Sequence, residues 1–218
     1  MALDVLHLDN HLLVVRKPAG MLAQGDQTGD VTLLEMGKAF LKAQFNKPGD
    51  VFLGLVHRLD RPASGVMVFA RTSKAASRLS AQFRTREIEK CYWALAQGET
   101  PEQGHLVHYL ARRQSKSRVV VAPEGQRAEL SFRRLGYAQN VSWVHIDLDT
   151  GRHHQIRVQF SYIGHPLLGD LKYGAQKPFP NRALALHARS LTLSHPTTQE
   201  RLTFTAEPEP FWPKMFTV

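Results

Sequence analysis

Residues 52–70 read FLGLVHRLDRPASGVMVFA, a polar loop set between two apolar runs. The runs 52–56 and 66–70 are short, rich in Val, Leu and Phe, and bounded by turn formers, so each predicts a buried strand. Residues 57–65 between them predict a loop held at both ends by strands. Chemistry often sits in such a place, because the scaffold fixes the loop's ends while its side chains stay accessible. This loop sets one carboxylate, Asp60, between two guanidinium groups, Arg58 and Arg61. On residue types alone a loop salt bridge accounts for that arrangement as well as a site does.

Working outward, residues 5–8 and 12–15 predict a hairpin turning at Asp9-Asn10, and Lys17-Pro18-Ala19-Gly20 then forces a turn. Apolar residues at 33, 36, 40 and 41 recur with helical spacing and predict a helix over 32–45 that ends near Lys47-Pro48-Gly49. Thr72 or Ser73 caps a second helix, with Ala76, Leu79 and Phe83 toward the core and Lys74, Arg78 and Arg84 toward water. Strand-like runs follow at 88–95, 118–121, 128–135 and 141–148. Gly151 breaks the last of them. Ile156, Phe160 and Ile163 mark one face of a short helix stopped by Gly164-His165-Pro166, and strands at 184–193 and 201–205 close the chain. Runs of strands with a few helices predict an α+β fold, a mostly antiparallel mixed sheet flanked by helices, rather than a doubly wound one. There is no internal repeat or long linker, so 1–218 is expected to act as a single domain.

Hydrophobic residues make up 43% and charged residues 22% of the chain, an ordinary balance for a globular protein, and no apolar run is long enough to span a bilayer. The first ten residues carry Asp4 and Asp9 and lack the basic start and apolar core of a secretory signal, so a cytoplasmic location is expected. Cys91 is the single cysteine, so neither an internal disulfide nor a cysteine-based metal cage is expected, in agreement with a reducing compartment. The formal charge of +9 favours polyanionic partners through counterion release. It is concentrated in two blocks. Residues 104–135 hold Arg112, Arg113, Lys116, Arg118, Arg127, Arg133 and Arg134 against Glu124 and Glu129, and residues 71–90 hold six basic residues against Glu87 and Glu89.

The chain lacks G-x-x-x-x-G-K-[ST], G-x-G-x-x-G and H-E-x-x-H, which removes the usual support for nucleotide hydrolysis and zincin chemistry. His153 and His154 are adjacent and point apart on any regular element, so they suit RNA contact better than a shared metal. Ser64 lacks the glycine of a nucleophile elbow two positions before it, since Pro62 stands there. Four segments together resemble the RluA-type pseudouridine synthases, in that family's order. His57-Arg58-Leu59-Asp60-Arg61-Pro62-Ala63-Ser64-Gly65 resembles H-R-L-D-x-x-[TS]-S-G; Val14-Val15-Arg16-Lys17-Pro18-Ala19-Gly20 resembles V-V-N-K-P-A-G; Lys90-Cys91-Tyr92-Trp93-Ala94 resembles K-x-Y-x-A; and residues 151–174 (GRHHQIRVQFSYIGHPLLGDLKYG) resemble G-R-x-H-Q-I-R-V-H…G-H-P-I-x-G-D-x-x-Y-G. The resemblance runs from about Val5 to Phe211. Arg16, Ala63 and Gln159 depart from the usual Asn, Thr and His.

The resemblance implies an RNA pseudouridine synthase with a central RNA-binding cleft, working without cofactor or metal on structured tRNA or rRNA, with no membrane role and no obligate protein partner. It is similar to a short form lacking the N-terminal RNA-binding module, so recognition is expected to fall to the catalytic domain. Asp60 maps to the essential carboxylate, as nucleophile or as base toward a glycal. Tyr92 maps to the tyrosine that packs on the base and assists proton removal from carbon 5, and Arg157 to the cation that keeps Asp60 ionised. Arg58 is expected to fill the space left by a flipped uridine, and His57, Arg61, Arg152, His154 and Gln155 to contact RNA. A catalytically idle RNA-binding relative is the alternative; its cheapest sign, loss of Asp60, is not seen. A hydrolase using Ser64 or a histidine-bound metal is a weaker third reading.

Overall fold

A computed structural model describes residues 2–213, which fold into two compact units. The first takes in the chain up to Glu89 together with Arg189–Glu207. It opens with strands β1 (Asp4–Leu8) and β2 (Leu12–Lys17), the expected hairpin, tightened where Asp9 Oδ1 accepts the N–H groups of His11 and Leu12 at 2.7 Å each. Helix α1 (Leu33–Gln44) starts at Thr32 with a capping box: the Thr32 hydroxyl accepts the Glu35 N–H while the Glu35 carboxylate accepts the Thr32 N–H at 2.8 Å. Of the expected buried strand at 52–56 only β3 (Gly54–Leu55) forms, paired to β4 (Ser64–Ala70); Phe52 before it is exposed, and Val56 after it already belongs to the loop. Strand β4 is buried along its whole length and pairs antiparallel with β2. Helix α2 (Ser73–Thr85) is capped by the Thr72 hydroxyl, and it packs Ala75 and Leu79 onto Leu12, Val14, Val66 and Val68 in one apolar cluster. Leu191 and Leu193 of β10 (Leu186–Ser194) and Phe204 of β11 (Arg201–Thr205) complete that cluster.

The second unit holds Lys90–Ala188 and the residues from Pro208 onward. Its strands β5 (Glu89–Gln97), β6 (Gln103–Arg113), β7 (Lys116–Val120), β8 (Gln126–Ala138) and β9 (Val141–Leu148) pair antiparallel in the order β5-β9-β8-β6-β7. The sequence did not predict β6. Its inward positions run Leu106, His108, Leu110, so a histidine interrupts the apolar alternation that would mark a strand. Helix α3 (Gln155–Tyr162) lies on that inward face, with Phe160 against Phe132 at 5.3 Å between ring centroids and Val158 against Leu110 and Ala128. The α+β class and its antiparallel character are therefore those expected. Among the described residues no helix is long and apolar enough to cross a membrane.

The capping box holds the start of α1 together with the Leu33 and Leu34 N–H groups, which donate to the Leu22 and Ala23 carbonyls. Thr32→Ala is expected to cost about 1 kcal/mol, the ordinary value of a lost N-cap, read as a lower denaturation midpoint at unchanged slope.

Candidate active site

Asp60 sits on the loop after β3, half-buried, beside the buried Leu59 and the exposed Arg58. What fixes the loop is a lysine from another strand. Lys17 ends β2 with a fully buried side chain, and its ammonium donates to the carbonyls of Pro18 (3.0 Å), Arg61 (3.0 Å) and Ala63 (2.7 Å). An ammonium carries three donors, and three carbonyl dipoles converge on it, which offsets part of the cost of burying its charge. Gly20, in the turn after Lys17, has φ +85°, which a side chain would oppose, and its N–H reaches the Arg61 carbonyl at 2.8 Å. Arg61 returns the contact through Nε to the Gly20 carbonyl (3.1 Å) and pairs with Asp30 at 2.6 Å. The Asp60 carbonyl accepts the Ala63 N–H at 3.1 Å, which turns the chain back into β4.

His57 closes the other side of the loop. Its Nε2 accepts the Val68 N–H at 3.0 Å, just past the end of the β3–β4 pairing, and its ring stacks on Phe83 at 4.7 Å. A ring accepting through Nε2 carries its neutral-form proton on Nδ1. Ala63, where the family pattern has threonine, contributes a carbonyl to Lys17, which any residue supplies. Arg16, in the usual asparagine position, pairs with Asp4 at 2.5 Å.

In the second unit Arg157 lies on α3 and is 6% exposed. Its Nε and Nη2 donate to the two oxygens of Asp170 at 2.8 and 2.7 Å, and its guanidinium lies 5.1 Å from the Tyr173 ring centroid. Asp170 is itself buried, and its carbonyl accepts the N–H groups of Tyr173 and Ala175, so the carboxylate stands on a rigid turn. A planar fork held along one edge has its orientation set. His154 enters α3 in the left-handed conformation (φ 55°) and meets the Tyr173 hydroxyl through Nδ1 at 2.8 Å. That hydroxyl also accepts the Ser117 N–H at 2.8 Å.

Gln155 is buried. Its amide oxygen accepts from the Thr150 hydroxyl (2.6 Å) and the Arg152 N–H (3.0 Å), and its amide nitrogen donates to the Glu129 carbonyl (3.0 Å). Arg152 donates from Nε to the Arg127 carbonyl at 3.1 Å. Tyr92 lies on β5 in the row Tyr92, Ile146, Phe132, on the sheet face that α3 covers. Gln159, in a usual histidine position, is fully buried with its amide nitrogen 3.0 Å from His108 Nδ1; burial pushes the His108 imidazole below its ordinary pKa.

Five of the seven basic residues of 104–135 are displayed on one side. The β6–β7 and β6–β8 registers set Arg113, Lys116, Arg118, Arg127 and Arg133 on the face opposite α3, all exposed, with Tyr109 among them. Glu129 shares that face and is held below the usual carboxylate range by its hydrogen bonds from Arg127.

A sheet-based α+β fold bearing a pinned loop carboxylate and a buried, oriented arginine fits the class of RNA-modifying isomerases that work without phosphate-binding loops. The chain belongs to the RNA pseudouridylate synthase family, whose model matches residues 11–162. It is 37% identical over 94% of its length to the ribosomal large subunit pseudouridine synthase D of Zymomonas mobilis, of which it spans 69%. It is 33% identical over 91% of its length to the ribosomal large subunit pseudouridine synthase C of Vibrio cholerae, spanning 63% of that protein. With the tRNA pseudouridine synthase C of Haemophilus ducreyi it shares 32% identity, over 99% of this chain and 95% of the relative. Among solved structures, human RNA pseudouridylate synthase domain containing 4 superposes with a TM-score of 0.79 at 25% identity, covering 95% of this chain and 89% of that one.

Sequence reasoning assigned no role to Lys17, Asp170 or Tyr173, although each stands inside a quoted motif. For the first, the signal is a lysine two residues after the apolar run 12–15, at the start of the Pro18-Ala19-Gly20 turn. Lys17→Met keeps the stem's volume and removes the donors, and acceptors left unpaired inside a protein cost about 1–3 kcal/mol. That loss is expected in equilibrium denaturation, and Lys17→Arg is not expected to restore it, because a planar fork does not fit three convergent carbonyls. Unfolding of Lys17→Met at the wild-type denaturant concentration would show that the loop is held otherwise.

Proposed function

We propose that the chain isomerises uridine to pseudouridine in structured rRNA or tRNA, with the whole chain acting as one catalytic domain and Asp60 as the essential carboxylate. The observation that carries this reading is a carboxylate on a loop pinned at its backbone by Lys17 and Gly20, in a stretch that resembles the family's aspartate motif and lies within the matched residues 11–162. The reaction breaks the bond from ribose C1′ to uracil N1, turns the base and joins C1′ to C5. The hydrogen lost from C5 is balanced by one gained at N1, so neither a redox partner nor a phosphoryl donor is required. An ionised carboxylate near C1′ starts it, either by attack or by removing a ribose proton.

Tyr92 and Arg157 are assigned to the same reaction, the tyrosine toward the base and C5, the arginine in support of the ionised Asp60. The Asp170 pair supports the second role, since it fixes one edge of the fork. Arg58, Arg61, Arg152 and His154 are assigned to RNA, with Arg58 taking the place of the flipped nucleotide. His57 and Gln155 are assigned a positioning part, because their polar atoms engage the protein's own backbone. A cytoplasmic site of action accompanies the RNA substrate.

Asp60→Asn is expected to abolish pseudouridine formation in single-turnover assays while leaving RNA affinity within a few-fold of wild type; appreciable turnover would overturn the assignment. Arg157→Met is expected to slow the saturated rate far more than it weakens binding measured on the Asp60→Asn background, with Arg157→Lys in between. A wild-type saturated rate in Arg157→Met would remove it from the reaction. Mapping pseudouridines in cellular RNA with and without the protein identifies the position modified.

A further inference from the structure

We propose that Cys91, His145 and Asp147 form a binding site for one zinc-class divalent cation on the outer face of the second unit's sheet. The register of β5 and β9 sets Cys91 directly opposite Asp147, and His145 precedes Asp147 by two residues on the same face. Cys91 Sγ lies 3.5 Å from Nδ1 and 3.6 Å from Nε2 of His145, and His145 Nε2 lies 3.1 Å from Asp147 Oδ1. All three donor groups fall within 4.8 Å of one another. A tetrahedral zinc with bonds of about 2.3 Å to sulfur and about 2.0–2.1 Å to nitrogen and oxygen holds S and N about 3.5 Å apart and N and O about 3.3 Å apart. The two spacings seen here are already close to those values, and a turn of the imidazole brings either nitrogen to the ion.

The donor set selects the metal. A thiolate and an imidazole with a single carboxylate suit zinc and its congeners, whereas magnesium and calcium require oxygen ligands throughout. Two paired strands hold the three Cα positions, so binding orders only side chains. Trp93 lies opposite His145 and meets Trp143 edge-to-face at 5.0 Å, which gives the site an apolar wall. Cys91 and His145 are half-buried and Asp147 is exposed, which leaves solvent access for an ion and for water as a fourth ligand. Arg133, opposite His145 on β8, is a cation on the same face and is exposed, so its side chain has room to leave the donors. The single cysteine rules out a cage of thiolates but not this mixed set. Tyr92 projects to the other face of β5, so the cluster is separate from Tyr92.

Cobalt(II) is the probe, titrated into the purified full chain with a non-thiol reductant. Because the chain has one cysteine, a thiolate-to-cobalt charge-transfer band reports on Cys91 alone. The band is expected to saturate at one equivalent, to be displaced by zinc, and to disappear in Cys91→Ser and His145→Ala; Asp147→Asn is expected to weaken binding at least tenfold. Zinc is expected to raise the Tm of the wild type and not that of Cys91→Ser, whose near-isosteric change leaves the zinc-free Tm unchanged. No charge-transfer band in the wild type, or a band of full strength in His145→Ala, overturns the proposal. So does zinc binding of equal affinity in Cys91→Ser, which would mark adventitious histidine contacts.

Discussion

A buried ammonium holds the Asp60 loop. Lys17 reaches from the end of β2 to the carbonyls of Arg61 and Ala63, which bracket the turn that begins at Asp60. A loop so placed would otherwise have its ends fixed by β3 and β4 and its middle free to sample many conformations, at an entropy of about 1–2 kcal/mol per residue. The contact works because a lysine side chain is long enough to cross to the neighbouring loop and an ammonium needs only acceptors.

The second unit solves an equivalent problem differently. Arg157 is buried on a helix and needs a counter-charge, and Asp170 meets it along one edge of the guanidinium while Tyr173 covers its face. Tyr173 also binds Ser117 and His154, so β7, the entry to α3 and the turn after Asp170 are joined through one phenol. A buried pair of this kind adds little net stability over an apolar replacement, but it costs several kcal/mol to break from one side. Its value lies in orientation.

Charge is distributed with the same separation of tasks. The outer face of β6, β7 and β8 carries Arg113, Lys116, Arg118, Arg127 and Arg133, while the inner face is occupied by Leu106, Leu110, Ala128, Leu130 and α3. Strand alternation favours that division, because a cation against Phe160 and Val158 would have to be desolvated; the two cations on the inner rows are Arg112, which is exposed, and Arg134, which pairs with Glu99.

From the sequence by itself came the α+β class, the hairpin at Asp9-Asn10, both long helices, the second with Thr72 as one of two candidate caps, and the loop that carries Asp60. Each rests on a local rule of spacing, capping or turn chemistry that a contiguous segment obeys. Family resemblance, not periodicity, singled out Asp60, Tyr92 and Arg157. What stayed hidden depends on partners distant in the chain. Strand β6 is defined by pairing with β8 across a histidine that blurs its pattern. Lys17 meets Arg61 and Ala63 more than forty residues on, and Asp170 meets Arg157 from beyond the helix's end. Cys91, His145 and Asp147 come together only because β5 and β9 pair in one register rather than its neighbour. A slip of one residue would send the three side chains to opposite faces, and register is set by the buried side of the sheet, which only the tertiary structure decides.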